Sequence, residues 1–305
     1  MGSKRTAIIL NSLAIYVIWG STYLAIKYAI EDIPPFLLAG ARFLLAGVIL
    51  TLVAMYKREA ALDRPTQVRA LFSGSLLVMG NALVCVAEKS ISSGMAAVMV
   101  GSVPMWVMLF NWSVFKAKRP SPRQTLGILF AFVGLIVLSQ SQSQAQHGTL
   151  PGVIAILFAV IVWAFGTLLQ SKAQTRGRLI RYSGFQLGVG SLAAFLASLI
   201  TSELTDFSLA AVRPLALASY LYMVIFGSAV AFSSYLWLNQ NVEPSKVSVY
   251  AVVNPIVAVW LGWLFLGEPI NLAIILCTVM ILAGIYFVVF PKRAHSVPVV
   301  RESAT

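Results

Sequence analysis

The chain has 305 residues, 59% of them hydrophobic and only 10% charged, and its mean hydropathy is +0.87. So few charges cannot cover the surface of a water-soluble protein of this size. The net charge of +12 does not make the chain a nucleic-acid binder either, because no basic face with base-reading or stacking groups accompanies it.

The apolar residues fall into long runs, each long enough to cross a bilayer as a helix. In chain order the runs predict ten helices, at about 7–29, 35–56, 68–88, 92–115, 123–140, 150–171, 181–201, 212–237, 245–266 and 270–290. Runs of this length exclude a membrane β-barrel, and only helices then satisfy the backbone in lipid. Residues 124–171 carry no charge; the polar stretch SQSQSQAQHGTLPG, with Gly148, Pro151 and Gly152, divides them into predicted helices 5 and 6. The first run is too long for a cleavable signal and nine more follow it. The opening MGSKRT matches a myristoylation pattern only formally. Cys85 and Cys277 both fall inside predicted helices and read as packing residues, not a disulfide.

Charge placement predicts topology. With the N-terminus cytoplasmic, Lys4, Arg5, Lys57, Arg58, Arg64, Arg69, Lys116, Lys118, Arg119, Arg123, Lys172, Arg176, Arg178, Arg181, Lys246, Lys292, Arg293 and Arg301 share one side. The other side keeps Lys27, Lys89 and Arg213 against Glu31, Asp32, Glu88, Glu203, Asp206 and Glu268, and Arg42 lies within predicted helix 2. This obeys the positive-inside rule and places both termini in the cytoplasm. Binding of the basic loops to anionic membrane lipid follows.

The chain also resembles itself. Trp19 falls over Trp163 and Gly40 over Gly184 at the same spacing; further on, Pro104 falls over Pro255, and KRP at 118–120 over GEP at 267–269. Each half holds five predicted helices, an odd number, so the second half crosses the membrane inverted. Loop charges switch accordingly: the loop with Glu31 and Asp32 corresponds to one with Lys172, Arg176, Arg178 and Arg181. The expected fold is therefore an all-α membrane protein of ten transmembrane helices in two inverted five-helix repeats. The first repeat is expected at 7–140, a linker at 141–149, the second repeat at 150–290 and a cytoplasmic tail at 291–305. Inverted repeats fit alternating access to a site near the bilayer midplane.

The segments IWGSTYLAIK, PPFLLAGARFLLAG, GNALVCVAE, SSGMAAVMVGSVP, VWAFGTL, SYLWLNQNVEPSKVSVYAVVNPIVAVWLG and GEPI resemble the EamA-type branch of the drug/metabolite transporter superfamily, from about residue 10 to 290. The resemblance implies ten helices, two EamA repeats, a bacterial inner-membrane location and export of amino acids, related metabolites or drugs. It also implies a central cavity lined mainly by helices 1, 3, 4, 6, 8 and 9. One departure stands out. Short four-helix multidrug relatives couple to protons through a glutamate in helix 1, whereas the middle of helix 1 here reads Trp19, Gly20, Ser21 and Thr22.

Polar groups inside a bilayer are costly and so are candidates for function. Arg42 either faces a cavity and attracts a carboxylate, or snorkels or pairs between helices. Glu88 is the acid expected at a cavity mouth, or else a cap or surface ion pair. Asn81, Cys85 and Glu88 recur at helical spacing, as do Trp163, Thr167 and Gln170, and Tyr250, Asn254 and Val257. Repeat pairing adds Met99, Val103 and Trp106, and helix 1 adds Trp19, Thr22 and Tyr23. These stripes line a mostly apolar cavity with a few polar handles, or hold helices together by hydrogen bonds. Gly127, Gly134 and Gly284 read as close-packing positions. Pro104 and Pro255 interrupt two helices at similar depth, as paired hinges or as packing kinks.

No phosphate loop or metal signature occurs, and His147 and His295 are far apart in sequence, so neither an enzyme nor a cofactor or metal is expected. Asn-Pro occurs in one half only, without the alanine that aquaporin-like channels carry. The expected function is a secondary transporter that exports small amino-acid-like or amphipathic metabolites. The alternatives are an uncoupled channel or a non-transport scaffold. The expected partners are a small-molecule substrate and membrane lipid, and the expected state is a monomer or weak dimer.

Overall fold

A computed structural model describes residues 2–117, 119–144, 150–173, 175, 177–205, 207–242, 247 and 249–289. The expected linker, the expected tail and Lys118, Arg176, Asp206 and His295 lie wholly or largely outside the described residues. The described chain is helical: α1 (Gly2–Ala29), α2 (Pro35–Tyr56), α3 (Arg64–Glu88), α4 (Ser93–Gly101), α5 (Val103–Ser113), α6 (Pro122–Gln144), α7 (Leu150–Ser171), α8 (Leu179–Ile200), α9 (Pro214–Tyr222), a π-helical segment (Met223–Val230), α10 (Ala231–Asn241), α11 (Tyr250–Leu266) and α12 (Leu272–Val289). Seven spans among the described residues are long and apolar enough to cross a membrane, and Pro122–Val137, Tyr250–Leu266 and Ile274–Val288 are shorter apolar helices.

The fourth predicted helix is two helices. α4 stops at Gly101, Ser102 sits in a turn and Pro104 opens α5. Proline is tolerated in a first helical turn, where its missing N–H would be unpaired anyway. Pro255 by contrast lies inside α11, which continues through it. The carbonyl it strands belongs to Ala251, four residues earlier. That carbonyl lies 3.2 Å from where a β-carbon on Gly101 would sit, and the Pro255 ring lies 3.1 Å from the same point. The stranded group thus faces protein and not lipid, the condition for tolerating it at membrane depth. The eighth predicted helix is also interrupted, by a π-helical segment that periodicity does not reveal.

Packing follows a two-fold pattern that matches the sequence repeat. Helices at equivalent places in the two halves meet directly: α2 against α8, α6 against α12 and α4 against α11. The other contacts come in matched pairs. α3 packs on α7 as α1 packs on α9 and α10, and α1 packs on α11 as α7 packs on α4 and α5. Glycines let these axes approach. A β-carbon on Gly127 would stand 2.7 Å from the Gly284 carbonyl, and one on Gly47 would stand 2.9 Å from the Gly184 carbonyl. Close backbone approach is how helices gain contact in lipid, where the hydrophobic effect gives no net drive.

The two-fold extends to a pair of glutamates in the loops. Glu203, three residues past the end of α8, accepts from the N–H groups of Phe36 (3.1 Å) and Leu37 (2.9 Å) in the first turn of α2. Glu59, three residues past the end of α2, accepts from the N–H of Arg181 (2.7 Å) in the first turn of α8. Each glutamate follows a residue in the left-handed region, Arg58 at φ 55° and Ser202 at φ 56°. Glu59 and Glu203 are separated by the same spacing as Gly40 and Gly184. Each carboxylate therefore meets the orphan N–H groups and the positive dipole end of the other half's helix. Glu59→Ala and Glu203→Ala should each cost about 0.5–2 kcal/mol, the range for losing a helix N-cap. Thermal unfolding in detergent checks this, and near-equal losses would mark the two caps as equivalent.

Candidate functional site

A cavity of about 230 Å³ opens where the two halves meet. Its walls come from α1, α2, α3, α4, α5, α7, α8, the π-helical segment, α10 and α11. Most of the expected site residues line it: Trp19, Thr22 and Tyr23 from α1, Arg42 from α2, and Asn81 from α3. Trp163, Thr167 and Gln170 line it from α7, and Tyr250 and Asn254 from α11. Pro104 and Pro255 both reach it.

Glu88, Met99 and Trp106 are not among the lining residues. Met99 is only 1% exposed and belongs to the apolar core. Trp106 packs edge-on against Phe132, with ring centroids 5.1 Å apart. Its pairing with the α11 stripe fails because the break at Ser102 shifts the phase of everything that follows. Glu88 lies one turn beyond Val84, which does line the cavity. It is fully buried, and neither carboxylate oxygen has a hydrogen-bond partner among the described residues. Lys27 donates to the carbonyls of Glu88 and Ile91 (2.8 Å to the latter) and so ties α1 to the turn after α3.

Other lining residues gave no sequence signal: Phe43 on α2, Gly227 and Ser228 in the π-helical segment, and Phe232 and Tyr235 just after it. Only a glycine–serine pair inside an otherwise apolar span hints at them. The π geometry explains why no α-helical stripe reaches them. Residues five apart point about 140° apart on an α-helix, whereas the i→i+5 winding of a π-helix brings them onto one face. Met223 and Ser228 are five apart, and both contact Arg42.

Three rings form one side of the cavity. Trp19 stands 5.3 Å from Tyr235 and 5.1 Å from Tyr250, and Tyr235 and Tyr250 meet edge to face at 5.9 Å. The Trp19 indole N–H donates to the Gly227 carbonyl at 3.0 Å, which pins the ring to the π-helical segment. Hydrogen-bonding geometry orients the Asn254 amide so that its nitrogen donates to the carbonyls of Tyr16 and Tyr250, each at 3.2 Å. Thr22 and Thr167 turn their hydroxyls onto their own helices, toward the carbonyls of Trp19 (2.6 Å) and Trp163 (2.9 Å). Gln170 meets Gln186 at 3.4 Å, and Gln186 also donates to Ser73 at 2.7 Å. The cavity is thus mostly apolar and aromatic, with a few fixed polar groups.

At the two ends of the bundle the loops are tied across the halves. Asp32 accepts from the Arg213 backbone N–H (2.9 Å) and Nε (2.9 Å), with Glu31 beside it. At the opposite end Arg178 pairs with Asp63 at 3.0 Å. At the N-terminus of α4, Glu268 accepts from Ser93 N (2.6 Å) and Gly94 N (3.1 Å).

Such a bundle, with a cavity at its centre and loops latched at both ends, defines a polytopic membrane protein built from two similar halves. The EamA-like transporter family model matches residues 6–140 and again 150–290. The chain is 33% identical, over 96% of its length and 95% of the other's, to an uncharacterized inner membrane transporter, YedA, of Escherichia coli K12. It is 26% identical to a probable amino-acid metabolite efflux pump of Salmonella typhimurium LT2, over 93% of this chain and 95% of that one. A solved crystal structure at 18% identity superposes with a TM-score of 0.63 over 92% of this chain and 96% of that one, a likeness in fold alone. The chain belongs to the EamA-like transporter family. It is a membrane transporter of small molecules and not an enzyme.

The hydrogen bonds from Arg213 hold the Asp32 carboxyl below the ordinary carboxylate range. A carboxyl lowered in the folded state contributes stability above its unfolded pKa of about 3.9 and loses it as pH falls through the lower folded value. Arg213→Gln should return the Asp32 titration to the ordinary range. Carbon-13 NMR of labelled aspartate in detergent reads this directly.

Proposed function

We propose that this chain is a secondary transporter that exports small amino-acid-like or amphipathic metabolites by alternating access. The observation that carries the reading is the cavity at the meeting of the two halves, apolar and aromatic with few polar groups, as small-molecule sites are. Its walls draw on equivalent helices of both repeats, so a change in how the halves pack would transfer the opening from one end to the other. Seven long apolar spans and three shorter apolar helices support ten membrane crossings in two inverted repeats. The basic loops support cytoplasmic termini, and the likeness to an inner-membrane relative supports a bacterial inner-membrane location.

In this reading Trp19, Tyr23, Asn81, Trp163, Thr167, Gln170, Tyr250 and Asn254 contact substrate, and the Trp19–Tyr235–Tyr250 cluster takes its apolar body. Pro104 and Pro255 are hinges: one opens a helix at the cavity and the other leaves a carbonyl against the partner helix. The repeats make one complete unit, so a monomer or weak dimer suffices.

The test is export from proteoliposomes across a panel of amino acids, aromatic metabolites and lipophilic cations, with and without a pH gradient. Saturable movement of at least one class is expected. Trp19→Ala should reduce its kcat/KM by about tenfold or more, equivalent to roughly 1.4 kcal/mol. Pro104→Ala and Pro255→Ala should slow turnover with little change in KM. Movement of none of them in either direction contradicts export, and discrete conductance steps in planar bilayers contradict a carrier.

A further inference from the structure

Arg42 is 5% exposed, and among the described residues it is the one charged group that lines the cavity. A guanidinium at membrane depth is costly to insert, and such groups are normally paired. This one has no carboxylate within ion-pair distance among the described residues. Its partners are neutral: Nε donates to the Ser228 hydroxyl at 3.1 Å, Nη1 contacts the Met223 sulfur at 3.6 Å, and the guanidinium lies 4.9 Å from the centre of the Phe43 ring. Nη2 has no hydrogen-bond partner among the described residues.

The guanidinium borders the cavity beside small residues of the π-helical segment. The point where a β-carbon on Gly227 would sit is 3.1 Å from Nη2 and 3.0 Å from the Thr22 methyl, so a larger residue at 227 would crowd the guanidinium. The π-helical winding presents Met223, Gly227 and Ser228 together on the side of Arg42. Trp19, whose indole N–H is bonded to the Gly227 carbonyl, joins this positive corner to the ring cluster with Tyr235 and Tyr250.

We propose that the cavity binds an organic monocarboxylate, its carboxylate on the open face of Arg42 beside Ser228 and its aromatic or apolar body against Trp19, Tyr235 and Tyr250. The inference rests on the reading of this cavity as the substrate site and narrows it. An arginine fork matches a carboxylate in shape as well as charge, and charge-assisted hydrogen bonds are the strong ones in a site of low dielectric. A cationic ligand would bring a second positive charge beside an unpaired one. A zwitterionic amino acid would have its carboxylate served, but among the described lining residues no acid would receive its ammonium. Glu88, the buried acid nearest in sequence to the α3 wall, is not a lining residue. The anion therefore gains most by entering.

The test uses the purified full-length protein in detergent and four probes that share a benzyl body: phenylacetate, phenylacetamide, phenethylamine and phenylalanine. Binding is read by quenching of tryptophan fluorescence and by the shift in unfolding temperature. Phenylacetate is expected to bind at least tenfold more tightly than the other three. Arg42→Gln should abolish that preference and bring phenylacetate to the affinity of the amide, while Ser228→Ala should weaken phenylacetate several-fold and leave the amide unchanged. The ligand comparison needs only the wild-type protein, so a variant that fails to fold does not spoil it. Equal or tighter binding of the amide, the amine or the amino acid overturns the monocarboxylate proposal and leaves the cavity reading standing. Binding of none of the four contradicts both.

Discussion

Hydrocarbon offers a peptide group no water to bond with, so every departure from α-helical geometry at membrane depth must be covered by protein. Three such departures occur within the described spans: the turn at Ser102 before Pro104, the proline inside α11 and the π-helical segment from Met223 to Val230. All three lie against the same cavity. Polar groups at these breaks meet protein partners there. The Gly227 carbonyl receives the Trp19 N–H, Ser228 receives Arg42, and the Ala251 carbonyl faces the bare α-carbon of Gly101.

The remainder of the molecule is regular and supports that centre. α2 and α8 lie against each other along glycine contacts, and each has its first turn bonded to a glutamate from the other half. α6 and α12 form a second such pair through Gly127 and Gly284. Pairs of equivalent helices stay together under exchange of the two halves, because each already contains one member of both. The contacts that exchange would alter are those between unlike positions, such as α3 on α7 against α1 on α9 and α10. A rigid frame with irregular helices at its centre suits a cycle in which the two ends open in turn, as proposed here.

The helical, membrane-spanning class and the cavity stripes on α1, α7 and α11 were legible in the sequence, because 3.6-residue periodicity holds through those helices. The misses fall at the breaks, and at Glu88, which ends the unbroken α3 one turn past the lining residue Val84. Met99 and Trp106 were expected at the cavity by pairing with α11; Met99, before the turn at Ser102, lies in the apolar core, and Trp106, beyond it, is carried out of phase and packs against Phe132. Met223, Gly227 and Ser228 escaped because residues five apart do not share a face on an α-helix. The reciprocal capping glutamates were present in the repeat all along, at the same spacing as Gly40 and Gly184. They lie in loops, where attention to apolar runs does not extend, and their role depends on contact between helices far apart in the chain. Arg42 was singled out as an isolated charge; whether it had a partner depended on the fold.

The central claim is that the two halves exchange packing so that the ends of the bundle open alternately. The most direct measurement is a pair of spin-label distances in nanodiscs, one between positions 89 and 210 at one end and one between 117 and 175 at the other. The account predicts two distance populations at each end, and addition of a transported compound should shift them in opposite directions. Distances that move together at both ends, or stay fixed while transport proceeds, would contradict it.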